Sequence, residues 1–302
     1  MKKFKNTKIK IFCEKSKSIG NGHFIRSKRL YDYLKSKNFS CSFEINNSSE
    51  QINKKINLAK NKVILILDYK NYRKINIYKN TKILKTIVVE NLNKKIFYKN
   101  LNTYPLDIQY GLNSGPEFYQ YPKEFYKKDK NFDVKNLKKK KISILIVQGG
   151  TDANNNISML VKRLSKKKLN FEAKFFVKTN NSEDMKKIKL LKNVYVIGKV
   201  KNIISVLKKI NLAISACGGF AYELGYFGIP TIHVSSEKRE IIRAKLLKKK
   251  NLGEFFYPKN INQIFNEINK IYYEKTYREM LIKNRINFFK KKNKFLNLLI
   301  KI

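Results

Sequence analysis

The chain of 302 residues contains two histidines, His23 and His233, so acid–base chemistry near neutral pH has few places to sit. His23 closes the loop Ile19-Gly20-Asn21-Gly22-His23-Phe24-Ile25-Arg26. Gly20 and Gly22 let a backbone approach a ligand closely. The helix that follows offers unpaired N–H groups and a positive dipole end to an anion. At such a helix start an imidazole kept neutral by the dipole can take a proton from water. A structural hydrogen bond is the competing reading, and residue type alone does not separate the two. Arg26, one turn on, suits a phosphate or solvent. His233 stands between Ile232 and Val234 and reads as a packed strand residue.

Two more glycine pairs follow apolar runs. Gln148-Gly149-Gly150-Thr151-Asp152 permits a tight turn against a ligand, with Asp152 either capping the next helix or touching substrate. Ser215-Ala216-Cys217-Gly218-Gly219 leads into Ala221-Tyr222-Glu223-Leu224, a helix start able to cradle a diphosphate. Glu223 could accept from a ribose diol or simply suit the helix dipole. Asp68, at the end of an aliphatic run, could orient His23, bind sugar hydroxyls or cap a turn. The segment Gly111 to Tyr119 suits either a sugar pocket or a packing strap.

The elements that must position these residues read as alternating strands and helices. Strands are expected at Lys8 to Cys13, Val63 to Leu67 and Ile83 to Val89, with a helix over His23 to Lys37. Beyond a Lys-, Asp- and Asn-rich linker, Tyr126 to Lys141, the pattern restarts. Strands fall at Ile142 to Val147, Phe171 to Val177, Val194 to Val196, Leu212 to Ile214 and Thr231 to Val234. Helices fall at Ile157 to Lys166 and Ala221 to Phe227, and Ile264 to Ile302 reads as one long helical stretch. Such alternation implies parallel sheets covered on both faces. The expected organisation is an N-terminal Rossmann-like domain, 1–134, a C-terminal Rossmann-like nucleotide-binding domain, 135–275, and a C-terminal helix, 276–302, that could return to the first domain. In doubly wound sheets ligands sit at the carboxyl ends of strands, so two such domains would face one another across a cleft.

Composition removes several alternatives. A hydrophobic content of 42% supports two cores rather than disorder. The longest aliphatic run, Val63 to Leu67, is far short of a membrane span, and the first residues lack the apolar stretch of a signal peptide. A soluble cytoplasmic monomer is expected. Cys13, Cys41 and Cys217 are odd in number and widely spaced, which suggests neither a disulfide framework nor a zinc site. The formal charge of +45 comes from scattered lysines, and eight of the 67 basic residues are arginine. No nucleic-acid module is recognisable. An anionic small substrate is the better partner, with peripheral contact to an acidic membrane surface left open.

Taken in order, GxGHxxR after the first strand, Asp68-Tyr69, GPEFY, GGTDANN and ISACGGFAYELGYFGIPTI resemble a family of nucleotide-sugar hydrolases. These are the UDP-2,4-diacetamido-2,4,6-trideoxy-β-L-altropyranose hydrolases of pseudaminic acid biosynthesis, related to the glycosyltransferases of lipid II synthesis. The likeness spans about residues 8–255. It implies an α/β fold of glycosyltransferase B type, with UDP held mainly by the C-terminal domain and no metal or other cofactor. By that likeness His23 would activate water against the anomeric carbon. Gly20 and Gly22 would border the diphosphate, Gly218 and Gly219 would approach it, and Glu223 would take the ribose. Departures from the family pattern are Phe220 in place of a small hydroxyl residue, Ser235 to Arg239 in place of Asn-Gln, and Glu90-Asn91 in place of an acidic pair. A transferase moving a sugar from a UDP-sugar to a lipid or saccharide acceptor is the alternative. A non-catalytic sugar-nucleotide binding protein is a third reading.

Overall fold

The computed structural model describes residues 7–15, 22–68, 82–89, 101–104, 115–126, 141–148, 152, 155–167, 169, 171–178, 186, 188–197 and 203–300. Contacts divide the chain into two units, Met1–Pro122 with Lys292–Ile302, and Lys123–Lys291. Of the expected linker, Tyr126 to Lys141, residues 127–140 lie outside the described residues.

In the first unit, β1 (Lys8–Cys13), β2 (Cys41–Ile45), β3 (Val63–Asp68), β4 (Ile83–Val89) and β5 (Leu101–Tyr104) form one parallel sheet. Its order is β2-β1-β3-β4-β5, so the chain reverses direction of growth between β1 and β3. All six residues of β3, VILILD, are buried, as a strand covered on both faces requires. Alternation sorts the rest. Ile9, Ile11, Ile64, Ile66 and Ile87 pack with Leu30 and Leu34 of α1 (Gly22–Ser36). Phe12, Leu65, Leu67 and Val88 pack with Ile52 and Ile56 of α2 (Ser49–Asn57). α2 opens with a reciprocal capping box between Ser48 and Gln51, a spacing visible in the sequence.

The second unit carries β6 (Lys141–Val147), β7 (Glu172–Lys178), β8 (Val194–Val196), β9 (Leu212–Ser215), β10 (Thr231–Val234) and β11 (Phe255–Phe256). They form a parallel sheet in the order β11-β10-β9-β6-β7-β8. Counted from β6, this is the 3-2-1-4-5-6 order of dinucleotide-binding sheets, with its switch point between β6 and β9. The helices are α3 (Asn156–Ser165), α4 (Ile203–Leu207), α5 (Gly219–Tyr226), α6 (Lys238–Lys249), α7 (Ile261–Tyr273) and α8 (Lys275–Phe289). Ile157, Leu160, Val161 and Leu164 of α3 join Ile261, Ile264, Ile268 and Ile271 of α7 on one core that includes Ile142, Ile144 and Ile146. α5 packs closely on α8, and a Cβ on Gly225 would lie 2.1 Å from the Phe289 ring.

The C-terminal stretch is not one helix. It breaks at Glu274 and at Lys290, both outside helical backbone geometry, to give α7, α8 and α9 (Phe295–Ile300). Neither break carries a Gly or Pro, so the sequence offered no punctuation there. Phe295 and Leu299 of α9 pack into the Ile9–Leu30 core of the first unit. The GPEFY segment joins the same unit: Phe118 is in that core, and the Lys294 N–H donates to the Glu117 carbonyl at 2.7 Å. Of the candidate sugar-pocket stretch, 111–114 lie outside the described residues.

Candidate active site

α1 begins at Gly22 and places His23, Arg26 and Ser27 at spacings of three and four residues, hence on one face. That face meets the carboxyl end of β3. Register sets the meeting, because Cys13 of β1 lies opposite Asp68 of β3 at the switch point of the first sheet. The His23 Nδ1 stands 2.6 Å from Asp68 Oδ1. Arg26 donates from Nε to Oδ2 at 2.6 Å and from Nη2 to Oδ1 at 2.5 Å. The Ser27 hydroxyl donates to Oδ2 at 2.9 Å. Asp68 thus accepts four hydrogen bonds in a fully buried position.

Burial alone would push the Asp68 carboxyl up. The Arg26 charge, the Arg26 hydrogen bonds and the contact with His23 together outweigh it and hold the carboxyl below its usual range. An ionised carboxylate only accepts, so Nδ1 carries the proton and Nε2 is the lone-pair nitrogen of the ring. Arg26 Nη2 also lies 3.0 Å from Nδ1. Both are donors converging on one oxygen, so this is a close approach, not a third bond. The His23 side chain keeps 16% of its surface, within reach of solvent, while Asp68 keeps none.

Arg26 was expected at a phosphate or in solvent. Instead it is buried, its guanidinium forked onto Asp68. Ser27 was not singled out from the sequence, although its i+4 spacing from His23 would have pointed to it. Gly20 and Asn21 lie outside the described residues. A Cβ on Gly22 would meet nothing within 4 Å among the described residues.

In the second unit, Gly149 and Gly150 also lie outside the described residues. Asp152 adopts a left-handed φ of 41°, a region aspartate tolerates. Its carboxylate accepts from the N–H groups of Asn156 and Ile157, both at 2.9 Å, and so caps α3 from the preceding loop. Asp152→Ala is expected to cost about 1 kcal/mol of stability in urea unfolding. Nucleotide affinity should be unchanged, and a tenfold weaker Kd would show that Asp152 meets ligand.

The N-terminus of α5 differs, since Gly218 precedes it with no side-chain cap. Gly218 has ordinary backbone angles, and a Cβ there would stand 3.4 Å from Glu240 Oε1. Around it, Ser235 Oγ accepts from the Cys217 N–H at 3.3 Å, and Arg243 donates to the Cys217 carbonyl at 3.5 Å. Gly219 is the first residue of α5, and Glu223 is buried inside the helix. The Arg239 side chain lies outside the described set. The Cys13 and Cys217 thiols are both buried and pushed up to about 12, first by burial, which leaves them poor nucleophiles. His233 is fully buried in β10, and burial followed by the Arg285 charge pushes it down to about 3, so it stays neutral as a packing residue. Among the described residues no cluster of His, Cys, Asp and Glu could hold a metal ion, and no helix is long and apolar enough to cross a membrane.

No protein-family model matches the chain, and no curated protein is significantly similar to it in sequence. Solved structures are similar over nearly the whole chain. MurG of Acinetobacter baumannii is 10% identical with a TM-score of 0.57, covering 98% of this chain and 100% of its own. The spinosyn rhamnosyltransferase SpnG, solved with thymidine diphosphate, is 11% identical with a TM-score of 0.58 and coverages of 95% and 96%. A UDP-GlcNAc 2-epimerase of Neisseria meningitidis, solved with UDP-GlcNAc bound, is 13% identical with a TM-score of 0.51 and coverages of 98% and 100%. With its two parallel α/β sheets, the chain has the glycosyltransferase B-type fold.

Proposed function

We propose that this protein is an enzyme that cleaves a sugar from a nucleoside diphosphate, with His23 as general base. The observation that carries this reading is the His23–Asp68 pair at the switch point of the first sheet. The carboxylate fixes the ring so that Nε2 can accept a proton, and it stabilises the imidazolium that results. In the reaction Nε2 takes a proton from water as the oxygen attacks the anomeric carbon. The bond from that carbon to the phosphate oxygen breaks, and the nucleoside diphosphate leaves with the electron pair. Arg26 and Ser27 are positioning residues, since they act by holding Asp68.

The diphosphate is assigned to the second unit, at the N-terminus of α5. The reason is the contrast between the two glycine loops: Asp152 accepts from the first N–H groups of α3, whereas the N-cap of α5 is Gly218, which has no side chain to offer its own helix. Lysine-rich composition favours an anionic substrate of this kind. Two neighbours in fold were solved with a sugar nucleotide or a nucleoside diphosphate. The motif resemblance narrows the substrate to a UDP-linked amino or deoxy sugar used in nonulosonic acid or surface-glycan synthesis.

The second reading is transfer of the same sugar to a lipid or saccharide hydroxyl. The His23–Asp68 pair could deprotonate that hydroxyl equally well, and rhamnosyltransferase likeness favours it. Incubation with UDP-, GDP- and CMP-sugars, without an acceptor, separates the two. Hydrolysis predicts stoichiometric release of nucleotide and free sugar. Release that appears only after an acceptor is added establishes transfer. Binding without release in either case would remove the catalytic assignment.

A further inference from the structure

We infer that Gln148 is a ligand-binding residue of the second unit, its side-chain amide donating to a phosphate oxygen of the bound nucleoside diphosphate. This assignment rests on the sugar-nucleotide reading above and names a contact that the reading did not include. Gln148 is the residue that follows β6 and is 6% exposed. Its Nε2 has no hydrogen-bond partner among the described residues. A buried amide left unpaired is costly and rare, and its persistence calls for a group that completes it.

Place in the fold says what that group is. Val147 of β6 lies opposite Ser215 of β9, and the Ala216 N–H donates to the Val147 carbonyl at 3.2 Å. Gln148 therefore sits level with Ala216, at the point where two strands on either side of the switch release their glycine loops. Ligands of doubly wound sheets bind at that edge. Two buried guanidinium groups are held by main-chain carbonyls, Arg243 at Cys217 on the facing glycine loop and Arg285 at Leu252, and the other three residues with such atoms lie away from this edge. Thr86 is inside β4, His233 is inside β10, and Gln120 belongs to the aromatic segment of the first unit.

Polar groups of the same strand ends have partners of their own within the unit. Ser236 accepts from the Asn156 side chain at 3.0 Å, Ser235 accepts from the Cys217 N–H, and Asp152 is taken by the start of α3. A nitrogen that can only donate needs an oxygen acceptor. A nucleoside diphosphate brings several.

The test is calorimetric titration of the full chain with UDP, GDP and dTDP, on wild type and on Gln148→Met, alongside thermal unfolding. Methionine keeps the volume and removes the donor. The expected result is at least tenfold weaker binding of whichever nucleotide the wild type takes, with a melting temperature equal to or above wild type, because the unpaired amide is gone. Gln148→Glu, which presents an acceptor in place of the donor, should weaken binding further, and it decides the matter if the methionine variant does not fold. Wild-type affinity in a folded variant would overturn the assignment and leave the amide to an internal water. Failure of the wild type to bind any of the three would overturn the sugar-nucleotide reading itself, and this assignment with it.

Discussion

Asp68→Asn is expected to lose about 3–5 kcal/mol of folding stability, read as a lower urea midpoint. The substitution removes charge from the centre of a buried cluster and leaves the Arg26 guanidinium, itself nearly buried, without its counter-ion. Breaking one side of such a pair costs far more than the net worth of the intact pair, because the surviving charge stays desolvated. The effect has a pH signature. The folded carboxyl is held below 3.8, so its contribution is complete above that pH and is lost only as pH falls further, toward the folded value. Wild type should therefore shed this contribution in the acid limb, while the asparagine variant, already without it, should show a shallower loss there. Turnover should fall at least about 100-fold in the same variant, because the ring tautomer is no longer dictated by a carboxylate. A variant as stable as wild type at neutral pH would show that the cluster does not hold α1 to β3.

His23→Ala separates chemistry from architecture. The Arg26–Asp68 and Ser27–Asp68 bonds survive the change, so α1 stays anchored and the urea midpoint should move little. Nucleotide release should drop about 10²- to 10⁴-fold, the usual worth of a positioned base. Affinity for the nucleoside diphosphate should stay within about tenfold, or 1.4 kcal/mol, since the second unit is assigned that contact. Unchanged kcat would reject His23 as the base. A loss of affinity without a loss of kcat would make it a binding residue instead.

Legibility of the site in the sequence was uneven, for identifiable reasons. His23 and Asp68 could be singled out because each stands where an apolar run or glycine loop ends. Arg26 was visible but misplaced, since a lone arginine on a helix is most often solvated. Nothing local reveals that a carboxylate 42 residues away will hold it. Gln148 was passed over beside two glycines, because an amide announces itself only once its burial and missing partner are known. Among the elements, β3 followed from its unbroken apolar run, and β4, β6 and β10 from short stretches rich in β-branched residues. β2, CSFEI, and α6, KREIIRAKLLKK, did not, because polar and lysine-rich residues blur their periods.

By itself the sequence determined that strands and helices alternate, that they do so twice, and that glycine loops with a histidine fall at strand ends. Those features depend on spacings of two to four residues and on backbone sterics, which neighbours along the chain settle among themselves. Only tertiary structure decided which polar atoms meet. The register of β1 on β3 brings His23, Arg26 and Ser27 onto one carboxylate, and the crossover between β6 and β9 buries an amide beside a loop edge. Hydrogen bonds and charge pairing act over about 3 Å, so they are set by how the sheet is assembled and not by distance along the chain.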